Sequence, residues 1–200
     1  MGAKERKLEE AQRGRGRPRD PEKDEAIRDA TWSVLATKGY DNLTFEAVAQ
    51  LANVSRTTLY RRFASKPDLV GSVLFETARA MERALPVETE PRALLRMHVR
   101  STAAYMSGER GRALLNIIEC SPRVPDLANA VARATGGDQA LYMAMLRNLR
   151  PDASDGAIAL AFDMLIGAII LRVAIGQRPF DPDALEALVD AAIAILNTGI

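Results

Sequence analysis

Apolar residues along the 200-residue chain recur at i, i+3, i+4 and i+7, and no stretch alternates with a period of two for any length. That periodicity predicts an all-α protein of about nine helices. The first spans about 21–38, with Ile27, Ala30, Thr31, Val34 and Leu35 inward and Gly39 as a left-handed stop. Two short helices fall within 44–63. A fourth, about 68–85, carries Leu69, Val70, Val73, Leu74 and Thr77 on one face. Five more follow at about 92–107, 108–120, 126–149, 154–175 and 183–198, with the seventh open to interruption at Gly136-Gly137. PVETEP, 86–91, is the best domain boundary. It separates a unit at 21–81 from a helical domain at 86–200, with residues 1–20 as a flexible basic arm.

Residues 44–70, TFEAVAQLANVSRTTLYRRFASKPDLV, hold the densest pattern. Phe45, Val48, Ala49 and Ala52 share one face behind a Thr44 N-cap. Asn53 suits a tight left-handed turn and Val54 pins it to the core. The next helix buries Leu59 and Phe63 and turns Arg56, Thr57, Tyr60 and Arg61 outward. Ser65-Lys66-Pro67-Asp68 then opens another helix, with Ser as cap and an acid in the first turn. Helix, turn, helix with a basic, hydroxyl-rich outer face is a helix-turn-helix reader of DNA.

The order Thr44, Val48-Ala49, Ser55, Thr58-Leu59-Tyr60, Phe63, Lys66 resembles the signature of the TetR (tetracycline repressor-like) family of bacterial transcription regulators over about residues 22–75. The resemblance implies that Arg56, Thr57 and Thr58 enter the major groove first. Arg56 would read guanine O6 and N7, and the Thr57 methyl would touch thymine. It implies that Thr44, Tyr60, Arg62 and Lys66 clamp phosphates; a half-buried packing role is the lesser alternative for Thr58. It further implies a homodimer on a palindromic operator, and a small-molecule effector enclosed among helices four to eight that moves the fourth helix. Met97, His98, Ser101, Tyr105, Ile118, Tyr142, Met145, Phe162 and Leu165 are the candidate lining, an apolar set with few polar groups suited to a lipophilic ligand. A DNA-binding protein of architectural or activator type without an effector is the alternative.

Charge sharpens this picture. The net charge is only +1, but residues 1–66 hold 14 Lys/Arg against 10 Asp/Glu and the remainder 13 against 16, with all five lysines at or before Lys66. Positive charge sits where the reader is. Ahead of it, Arg13-Gly14-Arg15-Gly16-Arg17-Pro18-Arg19 is similar to an AT-hook, and Arg15 and Arg17 are candidates for a narrow minor groove.

Two apolar helices close the chain. In 154–175 one stripe is Ile158, Phe162, Leu165, Ile169 and Val173; a second contains Leu160, Met164, Ala168, Leu171 and Ile175. Helix 183–198 likewise leaves Leu188, Ala191 and Ile195 in want of cover. Apolar residues on two sides demand cover on two sides, which suits an intermolecular four-helix bundle. Residues 156–176 could span a bilayer by length, yet Asp163 and Arg172 would each cost about 2.5–3.5 kcal/mol near its centre. A buried helix is expected instead, in a cytoplasmic protein: the N-terminus lacks an apolar leader, and the single Cys120 allows no internal disulfide.

Catalytic chemistry is sparse. There is one histidine, one cysteine, and no P-loop, GxSxG, HExxH or paired-cysteine motif, so neither an enzyme nor a metal or cofactor is expected. Cys120 reads as a small buried hydrophobe.

Overall fold

The computed structural model describes residues 20–83 and 90–198. Among them are nine α-helices and no strand: α1 Pro21–Lys38, α2 Phe45–Leu51, α3 Arg56–Arg62, α4 Lys66–Arg83, α5 Pro91–Ser107, α6 Glu109–Cys120, α7 Pro125–Leu149, α8 Asp155–Ile169 and α9 Pro182–Ile195. A 3-10 turn, Ser121–Arg123, joins α6 to α7, and a π turn, Ile170–Ile175, continues α8. The arginine arm, with Arg15 and Arg17, lies outside the described residues, as does most of the 86–91 break.

Local chemistry sets the helix starts. Thr44, Ser55, Ser154 and Asp181 each accept a backbone N–H from the first turn of the helix they precede. Ser65 Oγ accepts from Asp68 N at 3.2 Å, while the Asp68 carboxylate accepts from Ala64 N at 2.8 Å, so α4 begins at Lys66 with Pro67 in its first turn. Gly39 ends α1 with φ 73° and ψ 174°. That is a positive φ, though outside the left-handed helical basin expected for it, in a region open essentially to glycine alone.

Burial divides into two apolar clusters, and the division does not follow the chain break near residue 86. The first joins α1–α4 to Ala113, Ile117 and Cys120 of α6 and to Leu127 and Ala134 of α7. The second is built from α5, α8, α9 and the C-terminal half of α7, around Leu95, Tyr142, Leu146, Leu165, Ile169 and Val189. Helix α7, about 37 Å long at 1.5 Å per residue, is therefore a member of both. It runs without interruption through Gly136-Gly137, because a glycine pair lowers helix propensity without breaking the hydrogen-bond ladder.

The π turn is a second departure from expectation, since periodicity predicts plain α-helix to Ile175. Ala161, Leu165, Ile169 and Val173 face the core at four-residue steps, each overshooting a full α turn by about 40°. Gly176 N bonds back to Leu171 O at 2.9 Å. The wider turn takes that drift out and keeps Val173 inward. Residues Asp155–Ile175 are long and apolar enough to cross a membrane by composition. One side of this helix packs on α5, α7 and α9.

Helix α4 meets α7 where Gly71 faces Ala130: a Cβ at Gly71 would lie 2.8 Å from the Ala130 Cβ. Gly71→Val is expected to lower stability by about 1–3 kcal/mol through overpacking. Gly136→Ala, with open space around it, should raise stability by about 1 kcal/mol. Urea midpoints at unchanged slope read both signs; a neutral Gly71→Val would mean that the two helices are free to separate.

Candidate nucleic-acid interface and internal cavity

The turn between α2 and α3 is held from within. Asn53 adopts φ 50°, as a left-handed turn residue, and Val54 N donates to Ala49 O at 3.0 Å. From this turn α3 projects Arg56, Thr57, Tyr60 and Arg61 into solvent. Tyr60 is 60% exposed, and its ring leans on Phe45, 4.7 Å between centroids, which fixes where the hydroxyl points. Arg56 lies 3.5 Å from Glu46 across the α2–α3 groove. Both side chains are well solvated, so the pair is weak and readily exchanged for another anion. Thr58 is half-buried, its Oγ1 2.8 Å from Ser55 Oγ, in keeping with the packing role left open for it.

Beside the N-cap Thr44, two of the four phosphate candidates already donate to partners within the protein. Arg62, only 16% exposed, donates to Asp24 of α1. Lys66 Nζ donates to the carbonyls of Tyr40 and Asp41 at 2.8 and 3.1 Å, with its ammonium 4.3 Å above the Tyr40 ring. Tyr40 N in turn donates to Asn116 Oδ1 of α6 at 3.0 Å. Asp24 and Asn116 stand 38 and 76 residues from their partners, and no local sequence signal marks them.

A cavity of about 390 Å³ lies at the seam of the two clusters. It is walled by α4 (Leu74, Thr77, Ala78), α5 (Thr102, Tyr105, Met106), α6 (Leu114, Ile118), α7 (Val131, Ala134, Thr135, Asp138, Gln139), α8 (Phe162, Ile166, Ile169) and Ile170. Of the nine expected lining residues only Tyr105, Ile118 and Phe162 are there. Met145 and Leu165 are plain core, Met97 is on the surface, and Ser101 faces a separate groove with Arg28, Arg83 and Arg110. His98 and Tyr142 stand one layer behind the wall. Tyr142 Oη donates to Thr102 Oγ1 at 2.9 Å, and His98 Nε2 lies 2.9 Å from Asp138 Oδ1. The candidates His98 and Tyr142 are thus engaged by Asp138 and Thr102, and it is these two partners that line the space. Burial pushes the Tyr105 and Tyr142 phenols well above their ordinary range, so both stay neutral.

One residue links cavity and reader. Trp32 of α1 is 2% exposed; its Nε1 donates to Thr77 Oγ1 at 3.3 Å, and its ring meets Tyr105 edge-on at 6.4 Å. Both partners line the cavity.

Comparison with known proteins now bears on this arrangement. Residues 27–73 match the family model for bacterial regulatory proteins of the tetR family. An uncharacterized HTH-type transcriptional regulator of Mycobacterium tuberculosis, Rv1556, is 31% identical over 190 residues, which is 88% of this chain and 91% of that one. The chain belongs to the TetR family. It is a DNA-binding transcriptional regulator, and it is also similar to the HTH-type transcriptional repressor KstR of Mycolicibacterium smegmatis, 34% identical over 113 residues (56% of this chain, 50% of KstR). The structure of the regulator FadR from Bacillus subtilis in complex with stearoyl-CoA shares the fold, with a TM-score of 0.64 at 20% identity over 88% of this chain and 98% of that one.

In this TetR-family chain a continuous apolar strip remains on the outside of α8 and α9. Leu171 and Ile175 are each 64% exposed; Leu160 and Ala191 are exposed, and Met164, Ala168, Leu188 and Ile195 are partly so. Elsewhere, Cys120 is buried as expected, though Arg123 Nη2 approaches its sulfur to 3.4 Å, a neighbour that the sequence did not reveal. Among the described residues no cluster of three or more His, Cys, Asp or Glu is placed to hold a metal ion.

The two kinds of arginine in α3 predict different losses. Arg62→Ala should cost about 1–3 kcal/mol of folding stability, because a partly buried Asp24 loses its charged donor. Arg56→Ala should stay within about 0.5 kcal/mol of the parent. Denaturant melts of both, without DNA, separate a strut from a free contact; equal losses would contradict the assignment.

Proposed function

We propose that the protein is a ligand-responsive repressor, a cytoplasmic homodimer that grips a palindromic operator and releases it when a lipophilic molecule fills the cavity. The observation that carries this reading is Trp32, which belongs to the first helix of the reader yet touches two cavity walls. An occupant that displaces Thr77 or Tyr105 acts on α1 and α4 at once, and α4 carries Lys66 at the DNA-facing end.

On DNA, the solvent face of α3 enters the major groove with Arg56 and Thr57 toward the bases, while Thr44, Tyr60 and Arg61 take phosphates. Lys66 and Arg62 contribute mainly by holding the frame. Lys66 sits in the first turn of α4, where the helix dipole already favours an anion, and its ammonium remains half-exposed for one phosphate. What supports the dimer is the uncovered strip of α8 and α9: two copies of it about a two-fold axis would form a four-helix interface and place two readers on one face.

Binding to the palindrome should weaken steeply with salt. Tyr60→Ala should lower affinity for every DNA sequence, whereas Arg56→Ala should chiefly relax base preference. Fluorescence-anisotropy titrations on operator and scrambled duplexes test this, and indifference of the parent protein to sequence would reject it. The double variant Leu171→Glu/Ile175→Glu should be monomeric by analytical ultracentrifugation and lose operator binding; a variant that remains dimeric would place the interface elsewhere.

A further inference from the structure

The cavity carries one formal charge, and the charge is negative. Among the described residues that line it there is no Lys, Arg or His, and Asp138 of α7 is the only ionisable carboxylate. Its side chain is one-third exposed and its hydrogen-bonding partner is His98, which is 1% exposed. Hydrogen-bond geometry settles what His98 offers. Nε2 lies 2.9 Å from Asp138 Oδ1, while Nδ1 is buried with no partner. A proton on Nδ1 would be a buried donor with nothing to accept it, so the proton belongs on Nε2, aimed at Asp138. His98 thus orients the carboxylate from behind the wall, through Nε2. The Tyr142 ring, 4.4 Å from the imidazole, closes the space behind.

The other polar lining is largely occupied. Thr77 and Thr135 hydroxyls donate to carbonyls of their own helices, and Thr102 takes the Tyr142 hydroxyl. Asp138 is the charged acceptor left facing the cavity, beside the Gln139 amide and within a wall of Leu114, Phe162, Ile166 and Ile169.

We infer that the effector is a neutral or cationic lipophile whose hydrogen-bond donor, a hydroxyl or ammonium, meets Asp138, and that the site discriminates against carboxylates and other anionic amphiphiles. The inference rests on the reading of the cavity as the effector site and adds its charge selection. A carboxylate headgroup brought to Asp138 would meet a like charge, with no Lys, Arg or His in the lining to offset it. Arg28, Arg83 and Arg110 lie in a separate groove beyond Thr77 and Tyr105, so an anionic head finds positive charge only outside the cavity.

The test uses the full chain and three probes of equal tail length: decylamine, decanol and decanoate. Trp32, the sole tryptophan, reports occupancy through its contacts with Thr77 and Tyr105, and calorimetry supplies an independent isotherm. Decylamine and decanol should bind, and decanoate at least about tenfold more weakly. Asp138→Asn keeps an acceptor for His98 and should bring the three probes to within about threefold of one another. Ile166→Trp, which fills the space, should abolish all three. Decanoate binding as tightly as decylamine to the parent protein would overturn the charge selection and leave the effector site standing. Unchanged discrimination in Asp138→Asn would do the same. Failure of every probe to bind, or binding that survives Ile166→Trp, would remove the cavity as an effector site and this inference with it. The comparison on the parent protein needs no variant, so a poorly folding Asp138→Asn does not rescue the idea.

Discussion

The DNA-reading unit does not close its own core. A domain of some 60 residues buries too little surface to be more than marginally stable, and α1–α4 fit that description. Ala113, Ile117 and Cys120 from α6, with Leu127 and Ala134 from α7, complete the cluster around Val34, Val48, Leu59 and Leu69. Every other long-range feature follows from that sharing. The cavity exists because two clusters meet along α7 without filling the seam between them. The tight passage of Gly71 over Ala130 exists because α4 must be pressed onto α7 to seal the first cluster.

Shared packing also explains how a small molecule could influence DNA without touching it. Two chains of contact run from the C-terminal helices into the reader. One passes from Thr77 and Tyr105 to Trp32. The other passes from Asn116 to the amide of Tyr40, whose carbonyl, with that of Asp41, holds Lys66. Both end on elements that set the attitude of α2 and α3. Neither requires a large motion: helix shifts of an ångström or two are enough to change the separation of two readers in a symmetric pair.

Much of this was legible in the residues. Periodicity places all nine helices, and caps such as Thr44 and Ser65 fix their starts within a residue or two, because both signals are local. The helix-turn-helix carries enough joint pattern to name the family unaided. Three kinds of feature were not legible. Arg62 and Lys66 have the composition of phosphate ligands, and only the long-range partners, Asp24 for Arg62 and the Tyr40 and Asp41 carbonyls for Lys66, reveal their internal duties. The cavity was read from Met, His and Tyr, while the space is lined largely by Thr, Ala and branched aliphatics, whose sequence signature is that of ordinary core. The π turn leaves no periodic trace, since a wider turn with a four-residue step looks the same in sequence as a drifting α-helix.

The completion of one domain's core by another has a genetic consequence. Substitutions at Ala113, Ile117 or Leu127, remote from any phosphate or base, loosen the platform on which α2 and α3 rest. In a screen for lost operator recognition such alleles would be recovered beside those of Tyr60 and Arg56, and would be mistaken for contact mutants. Selection for DNA binding would therefore act on the interior of α6 and α7 as if it were part of the DNA-binding surface, which ties the sequence drift of the C-terminal helices to that of the reading half.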